Sequence, residues 1–227
     1  MRREEGKLDT SGRWRWLALA ALLAAGQEAA AQAETQHGFD AGFRLTARLD
    51  LVLHGRIRTQ PGRLGLYQAR GGPILEYSWN SRFRLIAGYY YAEQENSQKD
   101  FIGGHRWFGG AEGRVWSARP SRVDVRLLAE RFELAQGRDY TRYRVRARVS
   151  GTRTAAPYGS VESFFDAQGW RSTRCAAGLR WRNGRSISFD VGYFVEPRRA
   201  DIGRTRHMFL TGVHWNFGTE RRPDPDR

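Results

Sequence analysis

The chain has 227 residues, 40% of them hydrophobic and 27% charged, with a mean hydropathy of −0.66 and a formal charge of +14. That length suits one ordinary domain or one small barrel and argues against a second domain. A single cysteine, Cys175, excludes an intrachain disulfide and any zinc site built on several thiolates.

The N-terminus carries Arg13 and Arg15, then an apolar stretch over 16–25, then the small-residue runs Ala29-Ala30-Ala31 and Ala31-Gln32-Ala33. Charge, apolar core and A-x-A order describe a secretory signal cleaved after Ala31 or Ala33; a buried helix is the competing reading. The apolar run is too short for a spanning helix, which needs about 20 residues. Residues 1–33 are therefore set apart as a signal peptide, leaving 33 basic and 20 acidic residues.

From 39 to 217 the pattern has a period of two, the mark of strands with chemically different faces. Phe43, Leu45, Ala47, Leu49, Leu51 and Leu53 alternate with Arg44, Thr46, Arg48, Asp50, Val52 and His54. Val123, Val125, Leu127 and Ala129 stand opposite Asp124, Arg126, Leu128 and Glu130; Tyr143, Val145, Ala147 and Val149 stand opposite Arg142, Arg144, Arg146 and Arg148. Cys175, Leu179 and Trp181 similarly oppose Arg174 and Arg180, and 187–195 and 209–217 repeat the alternation. Ten strands follow, near 41–57, 66–78, 82–94, 101–116, 122–134, 140–152, 158–167, 171–182, 186–196 and 205–217. The fourth is diluted by Gly103, Gly104, Gly109, Gly110 and Gly113, which leave its register poorly specified and ease strand curvature.

The expected fold is all-β: an antiparallel up-and-down transmembrane β-barrel of about ten strands over 34–218, followed by a polar tail over 219–227. Tight links near Asn80-Ser81, 118–121 and Asn183-Gly184 would lie at the periplasmic end, and the longer polar stretches 93–100 and 197–203 at the outer end; 152–157 is the exception. An even strand number places both termini in the periplasm. Trp79, Trp181, Trp215 and Phe217 fall near that end as an interfacial girdle. A soluble lipocalin-like barrel has the same alternation, so the charged face decides. Its arginines, interspersed with Glu76, Glu130, Glu162 and Asp190, suit a lumen with cross-strand ion pairs better than a small wet surface.

Residues 126–132, Asp139-Tyr140-Thr141-Arg142-Tyr143-Arg144, Pro157-Tyr158 with Ser160, Glu162 and Phe164-Phe165, Arg174 with Gly178, and Gly192-Tyr193 carry a family resemblance. In their order and spacing the chain resembles the bacterial outer-membrane family known as domain of unknown function 2490. The resemblance implies an exported barrel and no reaction. Gly212, Trp215 and Phe217, spaced Gly-x-x-aromatic-x-aromatic, look like an outer-membrane assembly signal.

No G-x-S-x-G elbow and no phosphate-cradling loop before a helix occurs, and no spacing selects Ser160, Ser163, His207 or His214 as parts of a hydrolytic site. No catalytic, metal-ligating or cofactor-binding residue is therefore assigned, and no cofactor is expected. His37, His54, His105, His207 and His214 form no close ligand pair with a carboxylate, and His207 and His214 have opposite strand parity. Export argues against nucleic acid as the partner of the basic aromatic run 140–148.

The expected lumen charge network is Arg44, Arg48, Arg126, Glu130, Arg142, Arg144, Arg146, Arg148, Glu162, Arg174, Arg180 and Asp190, with arginines in excess. Location in the outer membrane of a Gram-negative-type bacterium makes its lipids, the assembly machinery and a small anionic solute the expected partners. The leading expectation is a small plugged or narrow barrel with a structural, binding or limited-permeation role. An anion-selective channel and a lipid-modifying enzyme stand as alternatives.

Overall fold

The computed structural model describes residues 33–60, 65–96, 98–184 and 186–217. The expected signal segment, apart from Ala33, and the 219–227 tail lie outside them. Eleven strands follow one another: β1 Glu34–Arg44, β2 Leu49–Thr59, β3 Leu66–Ser78, β4 Phe83–Glu95, β5 Phe101–Ala118, β6 Ser121–Leu134, β7 Tyr140–Gly151, β8 Ala155–Asp166, β9 Gly169–Asn183, β10 Ile187–Glu196 and β11 Arg206–Phe217. Each pairs with the next as an antiparallel hairpin, and β1 closes against β11 into a barrel.

The closing seam is parallel, running from Glu34↔Met208 to Phe43↔Phe217. The closed all-β barrel of about ten strands is the expected fold; within it one strand joins the ten placed individually, and the closing seam is parallel where only antiparallel pairing was expected. Both differences have one cause. The single strand expected over 41–57 is a hairpin, β1 and β2, turning at 45–48. The turn contains no Gly, Pro or Asn, so nothing in its composition announces it. Thr46 builds it: its Oγ1 accepts from the backbone N–H of Arg48 at 3.2 Å and of Leu49 at 3.1 Å, and the Leu45 N–H donates to the Leu49 carbonyl at 2.9 Å. Its four residues preserve parity, so Phe43 and Leu51 face outward as they would on one continuous strand.

An odd strand count separates the termini: β1 begins at the end of the barrel opposite to that where β11 finishes. The β11 end carries the short links 45–48, 79–82, 119–120, 152–154 and 184–186. The segment expected as an exception, 152–157, reduces to a three-residue link because β8 starts at Ala155. The opposite end carries 60–65, 96–100, 135–139 and 197–205, together with one tight turn at 167–168.

Away from bulges, even-numbered side chains on all strands face the lumen and odd-numbered ones face out. The outer face carries an exposed apolar band that includes Leu53, Leu75, Trp107, Leu127, Val145, Val161, Leu179 and Val191, with polar residues such as His105, Arg131, Glu133 and His207 toward the long-link end. Trp79, Trp181, Trp215 and Phe217 form an exposed aromatic group at the short-link end, where Phe43 stacks on Phe217 across the seam at 4.9 Å.

Inside, Ile86, Tyr90, Phe108 and Leu128 pack into one cluster. Phe164, Phe194 and Met208 are no more than 2% exposed, so side chains fill the lumen around them. Glycines make room for the larger rings: a Cβ on Gly88 would lie 2.3 Å from the Phe108 ring, and one on Gly110 only 2.0 Å from the Leu127 carbonyl oxygen. These contacts pin β5, whose register was poorly specified by sequence. It is the longest strand and pairs along β4 and β6, with a bulge at Val115.

Candidate functional site

The candidate site is the lumen itself, where hairpin geometry places carboxylates and guanidiniums at neighbouring heights on one face. Glu130 on β6 is its centre, 1% exposed. It accepts from Arg106 on β5, from Arg142 Nε at 2.6 Å and from Arg144 at 2.7 Å, the last two on β7. Arg144 also donates to Glu162 on β8 at 2.6 Å. Arg126 and Arg174 approach Glu162 at 3.4 and 3.6 Å.

The network continues both ways around the barrel. Arg146 reaches two strands across to Glu112 at 2.8 Å, and Glu112 also accepts from Arg84. Arg174 meets Glu196 at 2.5 Å and lies over the Phe194 ring at 4.4 Å. Arg142 is held between Phe132 and Phe164, with ring centroids at 4.8 and 4.9 Å. Stacking and ion pairing together fix planar guanidiniums in a way an ammonium cannot reproduce.

A second chain runs over the seam. Asp40 on β1 accepts from His54 Nδ1 on β2 at 2.6 Å and pairs with His214 Nδ1 on β11 at 2.8 Å. His214 Nε2 lies 2.9 Å from Asp190, which receives both Arg180 nitrogens at 2.6 Å. Sequence reasoning missed Asp40, His54 and His214 as a group. They share even parity, which was visible, but only closure of β1 on β11 brings them together. Among the described residues no three His, Cys, Asp or Glu side chains are grouped to hold a metal.

Of the residues expected in the lumen network, Arg126, Glu130, Arg142, Arg144, Arg146, Glu162, Arg174, Arg180 and Asp190 are joined by ion pairs or hydrogen bonds. Arg44 pairs locally with Asp50 at 3.2 Å. Arg148 faces inward and lies over the Tyr158 ring at 4.3 Å. Arg48 does not belong: it sits in the exposed 45–48 turn, because the strand expected to carry it inward ends at Arg44. Gly212 faces the lumen, while Trp215 and Phe217 face out at the end of β11.

This geometry suits cohesion and charge display. The network carboxylates are engaged by guanidinium donors, and the serines and histidines considered for hydrolysis are dispersed. Ser163 bonds Thr173 at 3.1 Å and His207 bonds Tyr193 at 2.8 Å on the outer face, whereas Ser160 and His214 face inward on β8 and β11. Comparison with protein-family models, curated proteins and solved structures finds no match to this chain.

Proposed function

We propose that the chain is an exported outer-membrane β-barrel, of the domain of unknown function 2490 type, whose lumen is sealed by its own side chains. It serves as a structural or ligand-binding component of the envelope and not as an enzyme. The observation that carries this reading is a broad exposed apolar band on the outer wall around a packed, charged interior. An exposed apolar band of that extent is a liability in water and matches a bilayer. Eleven strands lie nearer the filled eight-stranded class than the 16–18 strands that enclose an aqueous channel. Lipids would contact the odd-numbered face, and the assembly machinery would read the end of β11 around Gly212, Trp215 and Phe217.

Membrane fractionation followed by a gel comparison of heated and unheated samples tests the location. Retention with the outer membrane and a faster-migrating unheated band are expected. Release into aqueous extracts would support a soluble lipid-binding barrel instead. Planar-bilayer recording of the folded protein tests the seal: a silent barrel is expected, and discrete anion-selective openings would replace the plugged reading with the channel reading.

A further inference from the structure

Most arginines of the lumen are matched by acid. Arg126 and Arg146 stand directly opposite each other on β6 and β7, yet Glu162 lies 3.4 Å from one and Glu112 2.8 Å from the other. On β2 and β3 the matching fails. Arg56 and Arg70 are direct cross-strand partners, and Arg58 follows Arg56 on the same inward face. Arg56 donates to Gln68 Oε1 at 3.2 Å, and Arg58 donates to Gln36 Oε1 through two nitrogens at 3.1 and 3.0 Å. Arg70 reaches His54 Nε2 at 3.4 Å and lies over the Tyr90 ring at 4.7 Å.

Those partners carry no negative charge. His54 can accept from Arg70 only as the neutral imidazole, with its Nδ1 hydrogen given to Asp40. Arg58 is 5% exposed, and the buried Nε atoms of Arg56 and Arg70 have no acceptor among the described residues. Acceptor-free Nε atoms also occur on Arg106, Arg126 and Arg146, but the terminal nitrogens of those three meet carboxylates. Like charges directly opposed across a ladder destabilise it, and a buried guanidinium without a counter-charge is costlier still.

We infer that Arg56, Arg58 and Arg70 form a binding site for one small oxyanion, of the phosphate or sulfate class. The anion supplies the charge that the wall omits, and the guanidinium edges left free by Gln36 and Gln68 offer forked donors matched to its oxygens. The site requires the barrel alone and does not depend on its location in a membrane. Its arginines differ from those expected from sequence to favour anions, most of which are occupied by glutamate and aspartate.

The test is titration of the purified folded protein with inorganic phosphate, against sodium chloride at matched ionic strength, reading heats of binding and the unfolding midpoint. A saturable phosphate response absent with chloride is expected, since a ligand held only by the folded state raises the midpoint. Arg56→Gln and Arg70→Gln should each weaken phosphate binding at least about tenfold, the loss of a charge-assisted contact. Arg146→Gln, which removes a cation already paired with Glu112, should leave the affinity within about twofold. In phosphate-free, low-salt buffer Arg56→Gln should unfold at a higher temperature than the parent, because it relieves the repulsion from Arg70. Equal responses to phosphate and chloride, unchanged affinity in both Arg56→Gln and Arg70→Gln, or a lower anion-free midpoint for Arg56→Gln would each overturn the inference.

Discussion

Replacing Glu130 by Gln perturbs the network at its most buried point. The substitution keeps the side-chain volume and one acceptor but removes the charge facing Arg106, Arg142 and Arg144. Breaking a buried ion pair by removing one partner costs about 3–5 kcal/mol, because the remaining charge is left uncompensated. Arg144 keeps Glu162 at 2.6 Å, which moderates the loss, while Arg106 and Arg142 retain aromatic faces but lose their only ion-paired carboxylate among the described residues. A destabilisation of about 3 kcal/mol therefore follows, equivalent to a midpoint lower by roughly 6–12 °C for a chain of this size. The assay is the temperature at which the compact band is lost on semi-native gels, supported by circular dichroism in the same detergent. Glu133→Gln, an exposed position on the same strand, is the control. A Glu130→Gln midpoint within about 2 °C of the control would refute the view that this carboxylate holds the lumen together.

Gly110→Ala should destabilise the fold by about 1–3 kcal/mol, the overpacking range, because its Cβ would meet the Leu127 carbonyl oxygen at 2.0 Å; chemical denaturation measures it. Arg48→Ala should stay within about 0.5 kcal/mol of the parent in the same assay, since the residue lies in an exposed turn; a larger loss would argue that it faces the lumen. In the 197–205 connection, Arg199 bonds Asp201 at 2.6 Å and holds its carboxyl below the usual value of 3.8. The stabilisation from this depressed pKa is present above about pH 3.8 and is lost as pH falls through the folded value. A carbon-detected titration of Asp201 should show a midpoint below 3.8 that returns toward 3.8 in Arg199→Gln; an unmoved midpoint would remove Arg199 as the cause.

Alternation carried most of the fold. Because side-chain direction repeats every two residues, reading Arg142, Arg144, Arg146 and Arg148 against Tyr143, Val145, Ala147 and Val149 was enough to assign both faces of β7. Ion pairs within one hairpin were within reach of the same reasoning: Arg180 and Asp190 are ten positions apart and directly opposed across the β9–β10 hairpin. The first hairpin was not legible, since a four-residue turn without Gly or Pro preserves parity and looks like continuous strand.

Alternating apolar and charged faces around one β wall can be read along the chain, because parity is a local property of extended backbone. The strand number, the parallel seam and the partners across the lumen came instead from closure of the barrel. Asp40 and His214 are 174 positions apart and meet because β1 closes on β11; Arg146 and Glu112 meet by spanning a narrow interior past an intervening strand. The uncompensated trio Arg56, Arg58 and Arg70 emerged the same way. An excess of arginine is visible in composition, but which guanidiniums lack a counter-charge depends on side-chain reach across a closed barrel.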